Sequence, residues 1–78
     1  ILILIFKYIT NNNSVFTFKT NLNALRYKLV SIDLSQLENG WRDLIKEKDD
    51  VLQYVQCVNN NKLIVNYMHD CKVIIYEE

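Results

Sequence analysis

Apolar and polar positions alternate in some segments of this chain and follow a helical period in others, and its predicted elements follow from which pattern holds where. From Ile1 to Ile9 the residues are largely β-branched or aromatic, and both faces are apolar as far as Phe6. That is the pattern of a central strand covered on both sides. Asn11 to Ser14 interrupts it. Val15 to Thr20 then alternates, with Phe16 and Phe18 on one face and Val15, Thr17 and Lys19 on the other, so the two segments predict a hairpin around the Asn loop. Two periods compete over 21–32. Leu25, Tyr27 and Leu29 alternate with Arg26 and Lys28 as in a strand, whereas Leu22, Leu25, Leu29 and Ile32 fit a helical stripe. A strand is the preferred reading, with a bulge near Leu29 and Val30 to account for a one-residue shift in the alternation. A short helix is the alternative.

The strongest local signal is Ser35, Gln36, Leu37, Glu38, which spells a capping box. It predicts a helix from there to about Cys57. On a helical wheel Leu37, Trp41, Leu44, Ile45, Val51, Leu52 and Val55 fall within an arc of about 120°. Arg42, Asp43, Lys46, Asp49, Asp50 and Gln53 lie away from it. Gly40 lowers the stability of such a helix by about 1 kcal/mol relative to Ala, which allows the main helix to begin at Trp41. Lys48 points into the apolar arc, where it either snorkels past the helix edge or meets an acidic partner. Beyond an Asn59 to Asn61 loop, Lys62 to Tyr67 and Lys72 to Glu77 predict a second hairpin joined by Met68, His69, Asp70 and Cys71.

These elements predict an α+β fold: a small antiparallel sheet of four to five strands on one main amphipathic helix, in the order βββαββ or ββααββ. The length of 78 residues suits one domain, residues 1–78, with a thin core. Hydrophobic residues make up 50% and charged residues 23%, which argues against disorder and leaves room for a partner chain to complete the core. The richness in Ile, Leu, Asn, Lys and Tyr reads as A/T-rich coding, so the Asn runs are expected to be loops, and the Asn12, Asn13, Ser14 sequon a chance match. The chain opens on Ile, so what precedes residue 1 is open. The apolar run Ile1 to Phe6 is far short of the ~20 residues of a membrane span and reads as a strand. Two cysteines, Cys57 and Cys71, allow one disulfide at most and point to a reducing, cytoplasmic setting with both thiols free.

Candidate chemistry is sparse. His69 is the single histidine, and Asp70 beside it projects to the other face of a strand. A Cys71–His69 pair is conceivable but has no supporting context. Cys57, His69, Asp70 and Cys71 match no closed zinc spacing, so no metal and no cofactor are expected. The carboxylate pairs Asp49, Asp50 and Glu77, Glu78 lie on polar positions, and one glycine rules out a Gly-rich phosphate loop.

Net charge is zero but unevenly spread: residues 1–32 carry +4, 33–56 carry −3 and the remainder −1. The sequence therefore predicts a small non-catalytic protein-interaction module, an inhibitor, immunity or accessory factor or a subunit of an assembly. It would be a homo-oligomer or part of a hetero-complex through sheet surface and edge, since one helix cannot cover every apolar face. Tyr8, Tyr67, Tyr76 and Lys48 are its candidate partner-binding residues. The alternative is a module for RNA or another single-stranded nucleic acid that uses Lys7, Tyr8, Lys19, Arg26, Tyr27 and Lys28, a basic and aromatic mixture on which bases stack.

Overall fold

A computed structural model describes residues 3–59 and 62–75. Apart from one 3-10 turn, every element in them is a strand: β1 Phe6–Asn12, β2 Val15–Thr20, β3 Lys28–Asp33, β4 Arg42–Ile45, β5 Leu52–Val58, β6 Lys62–Tyr67 and β7 Cys71–Ile75. They form two antiparallel meanders, a four-stranded sheet in the order β1-β2-β3-β4 and a three-stranded sheet in the order β5-β6-β7. The α+β expectation is therefore wrong, and the fold is all-β.

The predicted helix over 35–57 is replaced by the 3-10 turn Leu37–Asn39, β4 and β5. Three local features explain this. The Ser35 hydroxyl, needed for the capping box, turns back and donates to Asp33 Oδ1 at 2.6 Å, and no side chain caps the turn. Gly40 then ends the turn at φ 65°, ψ −158°, a region essentially reserved for glycine. Finally, Leu52 and Val55 are three residues apart, as on a helix, because the β5–β6 register shifts between Leu52 and Tyr54. That bulge turns both side chains to one face and counterfeits a helical period. Nothing lies within 4 Å of a Cβ built on Gly40, so Gly40→Ala tests backbone conformation alone. It is expected to cost about 1–3 kcal/mol in urea denaturation despite the open space around it.

The hairpins are closer to expectation. β1 and β2 pair around a turn in which Asn13 takes φ 53°, a left-handed conformation that Asn tolerates. β6 has the predicted limits, while residues 76–77 of the expected last strand lie outside the described residues. Ile3, Leu4 and Ile5 precede β1 and are exposed, not a doubly covered strand. The Asn21 side chain holds them, accepting from the Ile5 amide at 2.8 Å and donating to the Ile3 carbonyl at 2.8 Å. β3, which begins only at Lys28, takes the central place instead: Leu29, Val30 and Ser31 are consecutive and all buried. The irregularity expected near Leu29 and Val30 is there, but the extra residue is Leu44 on the partner strand β4.

The sheets pack face to face. Leu29 of the first joins Leu52, Val55, Leu63, Val65 and Tyr67 of the second in one apolar cluster, with Ile9, Tyr27, Leu44, Ile45, Cys57 and Ile74 around it. A backbone bond ties the two sheets together: the Leu52 amide donates to the Arg26 carbonyl in the β2–β3 connection at 2.9 Å.

Candidate functional site: an outer aromatic face and the cleft between the sheets

Alternation places Phe6 and Tyr8 of β1 and Phe16 and Phe18 of β2 on the face of the first sheet that turns away from the second. Cross-strand pairing of Tyr8 with Phe18 brings their rings together. The 3-10 turn and Gly40 deliver Trp41 onto the same face, where it stacks on Phe6 with centroids 4.9 Å apart and meets Phe18 edge-on at 5.7 Å. Phe6 and Tyr8 each approach Phe18 at 6.2 and 6.1 Å, and Tyr8 lies 6.1 Å from Phe16. Such ring pairs contribute roughly 0.5–1.5 kcal/mol each beyond the area they bury. Yet Trp41 is 42% exposed and Tyr8 52% exposed. Val73, opposite Ile64 and so on the side away from buried Leu63 and Val65, is likewise exposed on the outer side of the second sheet. Both outer faces thus carry apolar side chains that the chain itself leaves open.

Between the sheets, Lys7, Ile9, Lys19, Gln53, Tyr54 and Val55 line a shallow cleft. Lys19 Nζ donates to the Gln53 carbonyl at 2.7 Å and lies 4.7 Å from the Tyr27 ring centroid. Burial, reinforced by the neighbouring Lys7 charge, pushes the Lys19 ammonium below its ordinary value.

A third cluster closes the β6–β7 turn. Asp50 accepts from the His69 amide at 2.9 Å and the Val51 amide at 3.0 Å, and its Oδ1 lies 2.9 Å from the His69 ring Nδ1. Partial burial alone pushes the Asp50 carboxyl up, but the bonds from the His69 ring and from both amides, with the His69 charge, outweigh it and hold it low. Burial, with the Asp50 charge, raises the Tyr67 phenol. A lowered carboxyl contributes stability above the ordinary carboxylate range and loses it as pH falls through the folded value. Asp50→Asn is therefore expected to lower the urea midpoint at pH 7, with the difference vanishing at acid pH. His69 is directed at Asp50, not at a thiol, and serves as a turn clasp.

The residues predicted from sequence scatter over these places. Tyr8 belongs to the aromatic face, its hydroxyl bonded to the Asn11 side chain. Tyr67 is buried in the core and Lys48 is exposed in the β4–β5 connection. Tyr76 lies outside the described residues. Lys7 and Lys19 meet in the cleft, with Tyr27 beneath Lys19, whereas Lys28 pairs with Asp43 at 3.0 Å. The Arg26 backbone amide donates to the Glu47 carboxylate at 2.8 Å. The sequence does not reveal Phe6, Phe16, Phe18 and Trp41 as a surface, because the bulge at Ile9 is what turns Phe6 and Tyr8 onto the face of Phe16 and Phe18. Both cysteines are free thiols, Cys57 half-buried and Cys71 exposed.

Comparison with known proteins gives this geometry a context. The family described as prolyl oligopeptidase, N-terminal beta-propeller domain, matches residues 5–76. The dual function macrocyclase-peptidase POPB of Galerina marginata is 43% identical over 72 residues, covering 91% of this chain and 10% of that protein. Its Amanita bisporigera counterpart is 46% identical over 69 residues, covering 87% and 10%. The structure of prolyl oligopeptidase B from Galerina marginata bound to a 35mer hydrolysis and macrocyclization substrate superposes with a TM-score of 0.87 at 35% identity, covering 94% of this chain and 11% of that one. The apo protein gives 0.81 at 37% identity, with 94% and 11% covered. The chain spans about one tenth of the length of the curated relatives it matches. These matches overturn the expectation of a small non-catalytic interaction module, and with it the inhibitor or accessory role, the nucleic-acid alternative and the prediction that the protein is not an enzyme: the relatives are peptidases.

Proposed function

This chain belongs to the prolyl oligopeptidase N-terminal β-propeller family, and from that premise we propose that it forms two neighbouring blades in the propeller of a peptidase that acts on peptide substrates. Propellers repeat four-stranded sheets around an axis, so each blade needs cover on both faces. The first sheet has the strand number of one blade, and the second supplies three strands of the next. The observation that carries the reading is the outer aromatic face. One side of the first sheet is buried against the second, and the other presents Phe6, Tyr8, Phe16, Phe18 and Trp41 as a blade presents itself to its other neighbour. The residues of this chain build the scaffold and leave the reacting groups to the rest of the peptidase.

The test is a chimera in which residues 5–76 replace the matching segment of the Galerina marginata peptidase. It is expected to fold and to hydrolyse the 35mer substrate within about tenfold of the parent rate, a barrier change of no more than ~1.4 kcal/mol. A folded chimera that cannot turn over this peptide contradicts the reading.

A further inference from the structure

We propose that the cleft between the two sheets is a binding site for a carboxylate borne by a peptide, held between Lys7 and Lys19. The two lysines stand directly opposite each other in the β1–β2 register, an arrangement in which like charges repel. They also share a face, because both line the same cleft. Lys19 is fixed in place by the Gln53 carbonyl and the Tyr27 ring, while Lys7 is exposed.

Among the described residues the ion pairs are Lys28 with Asp43 and His69 with Asp50, so no carboxylate of those residues neutralises this pair. An anion seated between the two ammonium groups accepts from both, and charge-assisted bonds of this kind are about twice as strong as neutral ones. It also offsets the mutual repulsion that adds to burial in lowering Lys19. The rest of the lining is Ile9, Val55, Tyr54 and Gln53, and the cleft is too shallow to enclose more than a small anionic group at its mouth, which disfavours a bulky polyanion. The preference for a carboxylate rests on these residues, while the choice of a peptide as its carrier rests on the peptidase reading above.

A side-chain carboxylate and a C-terminal carboxylate have the same chemistry, and titration of the isotope-labelled 78-residue chain separates them. The probes are N-acetylglutamate methylamide, N-acetylglycine, the neutral N-acetylglutamine methylamide and inorganic phosphate. At least one carboxylate probe is expected to shift the Lys7 and Lys19 side-chain signals and the Gln53 and Tyr54 amides saturably. The glutamine analogue leaves them unmoved. A stronger response to the glutamate derivative assigns a side chain as the source, and a stronger response to N-acetylglycine assigns a C-terminus.

Lys7→Gln is expected to weaken binding about tenfold, the loss of one charge-assisted bond, and Lys7→Arg to retain it. The inference is overturned if neither carboxylate saturates, if phosphate binds as well as the better carboxylate, or if Lys7→Gln binds unchanged. None of these results depends on whether the chimera is an active peptidase, so the two readings fail separately.

Discussion

Leu29→Ala is expected to destabilise the chain by about 2–5 kcal/mol, a loss comparable with the whole stability of a small domain. Leu29 has no exposed surface, and it is the member of the core cluster that the first sheet contributes to Leu52, Val55, Leu63, Val65 and Tyr67. Shortening it removes transfer free energy and leaves a cavity that two hydrogen-bonded sheets cannot collapse to fill. Leu25 is the matching control. It lies in the β2–β3 connection at 74% exposure, and Leu25→Ala is expected to stay within about 0.5 kcal/mol of the parent. Urea denaturation followed by circular dichroism measures both. At roughly 4–8 °C of melting temperature per kcal/mol for a domain of this size, thermal melts will separate the variants as well. Equal losses for the two leucines would move the core away from the sheet interface.

The second large effect depends on context. Trp41→Ala removes a ring that stacks on Phe6 and meets Phe18 but is already 42% exposed in the chain alone. The cost there is expected to be about 1 kcal/mol, of the order of its aromatic pairing. On the two-blade reading the adjoining blade covers the same face in the peptidase chimera, and truncation of a buried tryptophan costs about 3–5 kcal/mol. Trp41→Asp is worse in that setting, because it places an unpaired charge at an apolar interface. Comparing the shift in melting temperature between the chain and the chimera therefore reads out whether the aromatic face is a surface or a seam. Equal shifts in both backgrounds argue for a surface.

Strand positions were legible where alternation was strict. Val15 to Thr20 and Lys62 to Tyr67 follow period two and fold as read, and the Asn-rich breaks fall in turns where Asn13 and Asn59 take positive φ. The fold class was lost at residues 35–57 through three devices. A serine hydroxyl found an aspartate instead of a helix amide, a glycine took a conformation closed to other residues, and a bulge set Leu52 and Val55 on one face. Each is a tertiary or backbone effect that a hydropathy pattern does not encode.

Function was further out of reach. The surplus of apolar sheet surface was legible, but an open blade face and an oligomer interface have the same composition, and it is the match over residues 5–76 that favours the blade reading. The Lys7 and Lys19 pair was not legible, because an unbroken register from the Asn turn sets Lys7 opposite Thr20, and only the bulge at Ile9 brings it opposite Lys19.

The central claim is that the outer face of the first sheet is a blade seam. Hydroxyl-radical footprinting of the isolated chain and of the peptidase chimera, with oxidation of Tyr8 and Trp41 quantified by peptide mass spectrometry, tests it most directly. Both side chains are expected to react in the chain alone and to be severalfold protected in the chimera, while the exposed Leu25 in its connecting loop reacts alike in both. Equal labelling of Tyr8 and Trp41 in the two contexts would contradict the account.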